Sequence, residues 1–328
     1  IDYLGVRIQF DAMRKALALG IVAEKRAQSQ NLEGRGITIK PAWFPLPMEE
    51  VTGVVRFDNG VVKVENVRAQ HANMSFRVDG TTQVLPNGTW SAQLTNIAAE
   101  RLQPTNEVLN ALPPALANGL VQLRLSGPFN MSGQLGFSGT NRPGSTPNAD
   151  WNLRFDTYDG KMATRIPLEN IHGSVSLRGQ HRPQATWSHG ELAIDSMMFH
   201  GAQLVNVRGP LWIDPRQVLL GAWAEKGRTQ TTPRHVTAQA LGGALELDAL
   251  VEIKQNSPFR FECTLKNGNL ATIAREAFQK REELRGVTNA SLRLEGNALG
   301  PHTYRGSGAV RLRDAEIYEA PFMLALLS

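Results

Sequence analysis

One cysteine, Cys263, is all the thiol this 328-residue chain carries, so an internal disulfide is excluded and the redox compartment is left open. It sits in FRFECTL, where Phe259, Phe261, Cys263 and Leu265 share one face at period two, as a buried structural thiol would. Long apolar runs are missing as well. The longest, Ala320 to Leu327, has eight residues, too few to cross a bilayer of about 30 Å as a helix. No signal-peptide pattern opens the chain. Because residue 1 is Ile, the sequence is expected to be an excised piece of a longer protein.

No block of charge stands out. The formal net charge is +5 and the pI about 9.5, yet Arg and Lys are scattered singly along alternating segments, which suits outward side chains guarding strands against aggregation. Nucleic acid is therefore not expected as a partner. Catalytic signatures are absent. The seven histidines form no HExxH, HxH or Cys/His array, so no metal site is expected. No GxSxG supports a hydrolase elbow. The glycine pairs Gly34/Gly36 and Gly306/Gly308 lack a third glycine and a following helix, so neither cradles a phosphate. Asp156, Asp159 and Glu169 are carboxylates of the type that acid/base catalysis pairs, but turns and outward strand positions are full of such residues. The expectation is a protein that is not an enzyme and needs no cofactor. Asn-x-Ser triplets at Asn73 to Ser75 and Asn130 to Ser132 are too short a pattern to carry meaning.

What the chain has in quantity is turns: 30 Gly and 18 Pro beside 41% apolar residues, the composition of an ordered all-β chain. It also repeats itself. PMEEVTGVV, Pro47 to Val55, returns as PLENIHGSVSL, Pro167 to Leu177, 120 residues later. GVVKVENVRAQHA from Gly60 returns as GELAIDSMMFHGA from Gly190, the larger offset marking an insertion in a loop. Each copy opens on a proline that fixes an extended start and then alternates like a strand. A third echo joins TWSAQLTNIAAERL, DWNLRFDTYDGKM and PFRFECTLKNGNLATI, each with an aromatic residue at the head of an alternating strand. Repeated strand clauses argue for stacked strand units.

Three helices are expected. Asp11 to Gln30 has Asp at an N-cap and apolar Met13, Leu17, Ile21 and Val22 at helical spacing, though Gly20 weakens it. Leu102 to Leu116 holds a short helical segment stopped by Pro113-Pro114, and Asn269 to Leu284 puts Leu270, Ile273, Ala274, Ala277 and Phe278 on one face. The remainder reads as strands. Asp58-Asn59-Gly60 and Pro86-Asn87-Gly88 are hairpin turns, since Asn and Gly accept positive φ, and strands joined so tightly are antiparallel neighbours in a meander. Thr140 to Asn148 reads as an exposed loop between repeats. The organisation expected is 1–139, a first β repeat with the N-terminal helix; 149–226, a second; and 235–328, a C-terminal segment, with no sharp boundary. Such alternation makes a sheet with one apolar and one wet face. Either a second sheet covers the apolar face, about 10 Å away, or a curved sheet leaves it as a trough that acyl chains fill.

LRGVTNASLRLEG, Leu284 to Gly296, followed by YRGSGAVRLRDAEIYEAPFMLALLS, Tyr304 to Ser328, resembles the C-terminal segment of AsmA-like proteins: a G-x-G-x-[VL] strand, a D-A-x-[IL]-Y turn and a P-[FLV]-[ML]-L-x-L-L run. The likeness extends to the clause repeats, to LNALPPAL and to LGGALELDA. It implies an elongated, twisted, mostly antiparallel sheet curved into an apolar groove, interrupted by a few short helices and held in the periplasm by an inner-membrane anchor outside this sequence, the piece itself being soluble. About 20 strands at about 4.8 Å give a sheet roughly 100 Å long, which must twist. The function implied is non-enzymatic: shielding phospholipid or other acyl chains in transit between membranes, for outer-membrane biogenesis and integrity, with the membrane and other envelope proteins as partners. The residues expected on apolar, groove-lining faces are Val55, Phe57, Val62, Val64, Leu123, Leu125, Val175, Leu177, Leu192, Ile194, Leu247, Val251, Phe261 and Leu292. The alternative is a periplasmic or cell-surface β-repeat module with a closed core that binds glycan or protein.

Overall fold

The computed structural model describes residues 3–11, 16–24, 37–40, 45–111, 121, 124–142, 144–163, 167–225, 232–278 and 284–316. They form a mainly β, antiparallel fold with few short helices. In chain order the strands are β1 (Tyr3–Asp11), β2 (Ala16–Glu24), β3 (Glu49–Asp58), β4 (Val61–His71), β5 (Met74–Val84), β6 (Thr89–Leu102), β7 (Leu125–Ser126), β8 (Phe129–Thr140) and β9 (Asn148–Met162). There follow β10 (Leu168–Arg182), β11 (Ala185–Phe199), β12 (Ala202–Ile213), β13 (Gln217–Leu220), β14 (Val236–Ala240), β15 (Gly243–Glu252), β16 (Phe259–Asn269), β17 (Arg285–Gly296) and β18 (Arg305–Glu316). Helix α1 (Asn106–Ala111) follows β6, helix α2 (Leu270–Phe278) follows β16, and a 3-10 turn covers Gly221–Glu225.

The chain divides into two compact units, Ile1–Ala163 with Ser176–Ser188, and Thr164–Val175 with His189–Ser328. The β10–β11 hairpin thus gives its tip to the first unit and its base to the second. Within the first, Arg182 on that tip pairs with Asp150 at 2.6 Å and Ser188 accepts a hydrogen bond from Trp151 Nε1 at 3.1 Å.

In the first unit, β1 to β6, β8 and β9 pair in sequence as an antiparallel meander, with β7 on β9. The turns form where Asn and Gly were expected to make them: Asn59 and Gly60 take φ 45° and 83°, and Gly88 takes 80°. Thr140 to Asn148 closes the β8–β9 hairpin, since Ser138 pairs with Asn148. The first expected helix, Asp11 to Gln30, is not there among the described residues; 12–15 and 25–30 lie outside them. Residues 16–24 are strand β2, paired along their length with β1. Leu17 and Ile21, four apart, satisfy period two as well as a helical turn, so they could not discriminate. Leu19 falls between them and Ala23 follows Ile21 on the same face, and Gly20 costs a helix about 1 kcal/mol relative to Ala. The second expected helical segment is present as α1, Asn106–Ala111, with Thr105 receiving the Val108 N–H on its hydroxyl at 3.4 Å; 112–120 lie outside the described residues. The third is borne out over Leu270–Phe278, where Asn269 Oδ1 accepts from Thr272 N at 2.9 Å.

Four of the long strands, β4, β6, β12 and β16, keep one face apolar by bulging. Asn66, Asn96, Asn206 and Asn267 all lie in the left-handed region, at φ 49°, 49°, 54° and 55°, a conformation Asn reaches more easily than other non-glycine residues. At each, strand register shifts. The apolar step there is three residues instead of two in Val64 to Val67, Leu94 to Ile97 and Leu204 to Val207, and on β16 the same step takes the face from Leu265 to Gly268. A bulge absorbs the extra residue, so the next apolar side chain returns to the face it would otherwise leave.

The repeated clause has the same basis. Glu50 and Asn170, equivalent positions in its two copies, take φ 51° and 50°, and Gly53 and Gly173 take 130° and 142°. A Cβ on Gly53 would lie 2.7 Å from Val67 Cα, and one on Gly173 2.5 Å from Ile194 Cα. Each copy is therefore a proline-led start, a bulge, and then a glycine against which the next strand's backbone sits.

Candidate functional surface

Cross-strand register turns the alternation into continuous rows. In the first unit Val6, Ile21, Val55, Val64, Gly80, Leu94, Leu135 and Trp151 stand opposite one another in turn across eight strands. The neighbouring row on that face is Ile8, Leu19, Phe57, Val62, Thr82, Ala92, Phe137 and Ala149. One residue over, on the opposite face, the row is Arg7, Gly20, Arg56, Lys63, Thr81, Gln93, Gly136 and Asp150. At about 4.8 Å per strand an apolar row is roughly 34 Å wide.

These side chains are half-buried rather than buried, whereas the inward residues of a closed sandwich pack to interior density. On β1 they are more open still, with Ile8 66% and Phe10 68% exposed. Among the described residues, large apolar side chains of this unit are fully buried at one end of the face. There α1 sets Val108 and Ala111 on Leu46, Met74, Ala99 and Leu102, with Phe76, Phe129 and Met131 around them.

The second unit follows the same rule. Leu245, Leu265, Ala290 and Val310 form one row, Leu247, Cys263, Leu292 and Gly308 the next, and Ala249, Phe261, Leu294 and Gly306 a third. Val310 and Leu292 are 55% and 44% exposed. Again one end is covered by a helix: α2 packs Leu270 and Ala274 with Leu284, Leu312 and Ala315. Nearer β11, Ile194, Val207, Val236 and Ala238 make a closed cluster.

The opposite face here holds a depression of about 420 Å³, bordered by His235, Asp248, Glu262, Arg293 and Ser307. Its charges are matched internally. His235 Nδ1 meets Asp248 Oδ2 at 2.8 Å, Asp248 Oδ1 accepts from Ala222 N at 2.7 Å, and Arg293 Nε meets Glu262 at 2.8 Å. Beside it Arg234 bonds both the buried Glu225 and Glu191, and these partners hold its guanidinium charged more firmly than usual, Glu191 foremost. Such matched pairs link neighbouring strands across the depression. Among the described residues no three His, Cys, Asp or Glu side chains gather as metal ligands. Cys263 lies on the apolar face, where burial pushes its thiol up to about 11; it is a packed side chain at neutral pH.

Of the residues expected on apolar faces, Val55, Phe57, Val62 and Val64 come together as two direct cross-strand pairs, Val55 with Val64 and Phe57 with Val62. Leu247, Val251, Phe261 and Leu292 share the second unit's apolar face. Val175, Leu192 and Ile194 meet in the closed cluster, Ile194 being only 7% exposed, and Leu177 is half-buried on β10. Leu123 and the Leu125 side chain lie outside the described residues. The widest part of the surface escaped sequence reading: Leu4, Val6, Ile8 and Phe10 on β1, and Leu19 and Ile21 on β2. The signal was present, as strict alternation from residue 4 to residue 10.

No protein-family model matches this chain, no curated protein is similar to it, and no solved structure matches its fold. Among the described residues no helix is long and apolar enough to cross a membrane.

Proposed function

We propose that this chain is a passive carrier surface for phospholipid acyl chains, part of an AsmA-like envelope protein that moves lipid between membranes and supports the outer membrane. The observation that carries the reading is the pair of adjacent, mostly apolar rows across eight strands, half-buried, with a row of charged, polar and glycine residues on the reverse face. Acyl chains lying on such a face gain about 0.8 kcal/mol per buried methylene without any specific pocket, while headgroups remain in water. The C-terminal resemblance supports the same reading: Gly306 and Gly308 of its G-x-G-x-V strand stand opposite Leu294 and Leu292, leaving those leucines uncrowded. On this reading the protein works in the periplasm, tethered to the inner membrane.

The test is organic extraction and native mass spectrometry of the purified chain, with Leu94→Asp on the apolar row and Gln93→Asp on the reverse face. Co-purifying phospholipid that is lost with Leu94→Asp and kept with Gln93→Asp supports the proposal. A folded protein with no bound lipid, even after incubation with phospholipid vesicles, defeats it.

A further inference from the structure

His71 is the last residue of β4, and its ring is almost enclosed. Nδ1 lies 2.8 Å from the Pro47 carbonyl oxygen and Nε2 lies 2.9 Å from Glu107 Oε2. A carbonyl only accepts hydrogen bonds, and so does a carboxylate. A neutral imidazole has one N–H and can satisfy one of the two. Both contacts are hydrogen bonds only when the His71–Glu107 pair holds one proton more than neutral imidazole beside carboxylate.

The three groups come from three separate places. Pro47 ends the segment that carries Leu46 into the core, His71 ends β4, and Glu107 lies in the first turn of α1. Leu46, at 1% exposure, packs with Val108 and Ala111 of α1. The imidazole thus ties the helix and the Pro47 segment down over the closed end of the apolar face. On β5 His71 faces Met74, and β6 presents Ala99 and Leu102 to the same cluster. Glu49, Gln70, Ser75 and Glu100 form the row one residue over, on the reverse face. Glu107 is the charged group the ring meets.

We propose that α1 is a proton-dependent latch, held over one end of the apolar face while the His71–Glu107 pair keeps its extra proton and loosened when that proton is lost. Deprotonation leaves one of the two acceptors facing a bare ring nitrogen, so α1 keeps its apolar contacts and loses its polar tie. Where one proton is released, the opening constant rises by up to about tenfold per pH unit. The direction is fixed: acid closes, base opens. The inference does not need the lipid reading, because its readout is helix opening in the ligand-free chain.

The experiment is amide hydrogen exchange of α1 across the imidazole titration, followed by the His71 ring-nitrogen NMR signals and corrected for the intrinsic pH dependence of exchange. In the wild type, protection of the 108–111 amides should fall as the ring loses its proton, while β4 and β5 amides stay unchanged. Glu107→Gln supplies a carboxamide N–H that a neutral ring nitrogen accepts, so α1 protection should become independent of pH. His71→Gln should remove the pH response and leave the sheet folded. Two results each overturn the proposal: equal α1 protection on both sides of the ring titration, or an unaltered pH response in Glu107→Gln.

Discussion

Asn289 on β17 receives on its Oδ1 the backbone N–H of Asn267, the bulged residue of β16, at 3.1 Å. Asn130 on β8 does the same, at 2.9 Å, for Arg101, which sits at a second bulge of β6 with φ 55°. In both cases a helix lies between the two strands, α1 after β6 and α2 after β16, and in both it covers one end of an apolar face. The two units therefore share a module of bulged strand, covering helix and returning strand, whose returning strand carries an asparagine that satisfies the bulge.

Removing that asparagine should loosen the module. Asn289→Ala leaves the Asn267 N–H to water, and a loss of roughly 1 kcal/mol is expected in urea unfolding. Asn289→Asp keeps an acceptor and should lose little at neutral pH. Equal losses in the two variants would deny the bond its role.

The clause glycine is a stricter requirement. Gly53→Ala forces a β-carbon to within 2.7 Å of Val67 Cα at φ 130°, and the strained backbone alone costs roughly 1–3 kcal/mol. Gly144→Ala, at φ 78° with nothing within 4 Å, isolates the conformational cost, about 1 kcal/mol. Thermal unfolding should therefore rank Gly53→Ala clearly below Gly144→Ala.

Asp79 should contribute to the acid limit of stability. Asn96 Nδ2 donates to its Oδ2 at 2.9 Å, and the Asn66 backbone N–H at the bulge donates to Oδ1. These bonds, Asn96 first and Asn66 second, hold its carboxyl below the usual range. A carboxyl depressed on folding adds stability above its unfolded value, near 3.9, and loses it as pH falls through the folded one. Asp79→Asn should therefore destabilise at pH 7 and converge with the wild type in strong acid, as read from denaturant midpoints at several pH values.

Cys263 should label slowly in the native protein. With its thiol pushed up to about 11, the thiolate fraction at pH 7 is on the order of 10⁻⁴. Alkylation should rise about tenfold per pH unit up to that value, and become fast at once on unfolding. Rapid native labelling at pH 7 would mean the thiol is open to solvent.

The all-β class, the antiparallel meander and the turns at Asn59-Gly60 and Asn87-Gly88 were legible because each depends on local chemistry: period-two alternation and residues tolerant of positive φ. The repeat at Pro47 and Pro167 was legible as a pattern but not as a cause. Why Gly53 and Gly173 recur became clear only when Val67 and Ile194 were found behind them. Residues 16–24 were misread because a spacing of four serves helix and strand alike, and β1, the partner that decides between them, had not been recognised.

Two-faced antiparallel strands follow from local chemistry alone, because alternation and turn preferences act within a few residues. How those faces join depends on long-range pairing. Register across eight strands brings Val6, Val55, Leu94 and Trp151 into one row. The bulges at Asn66 and Asn96 hold β4 and β6 to that face, and α1 comes to rest on its end beside His71. Each of these depends on pairing between residues far apart in the chain, and no local preference specifies which strand will lie alongside.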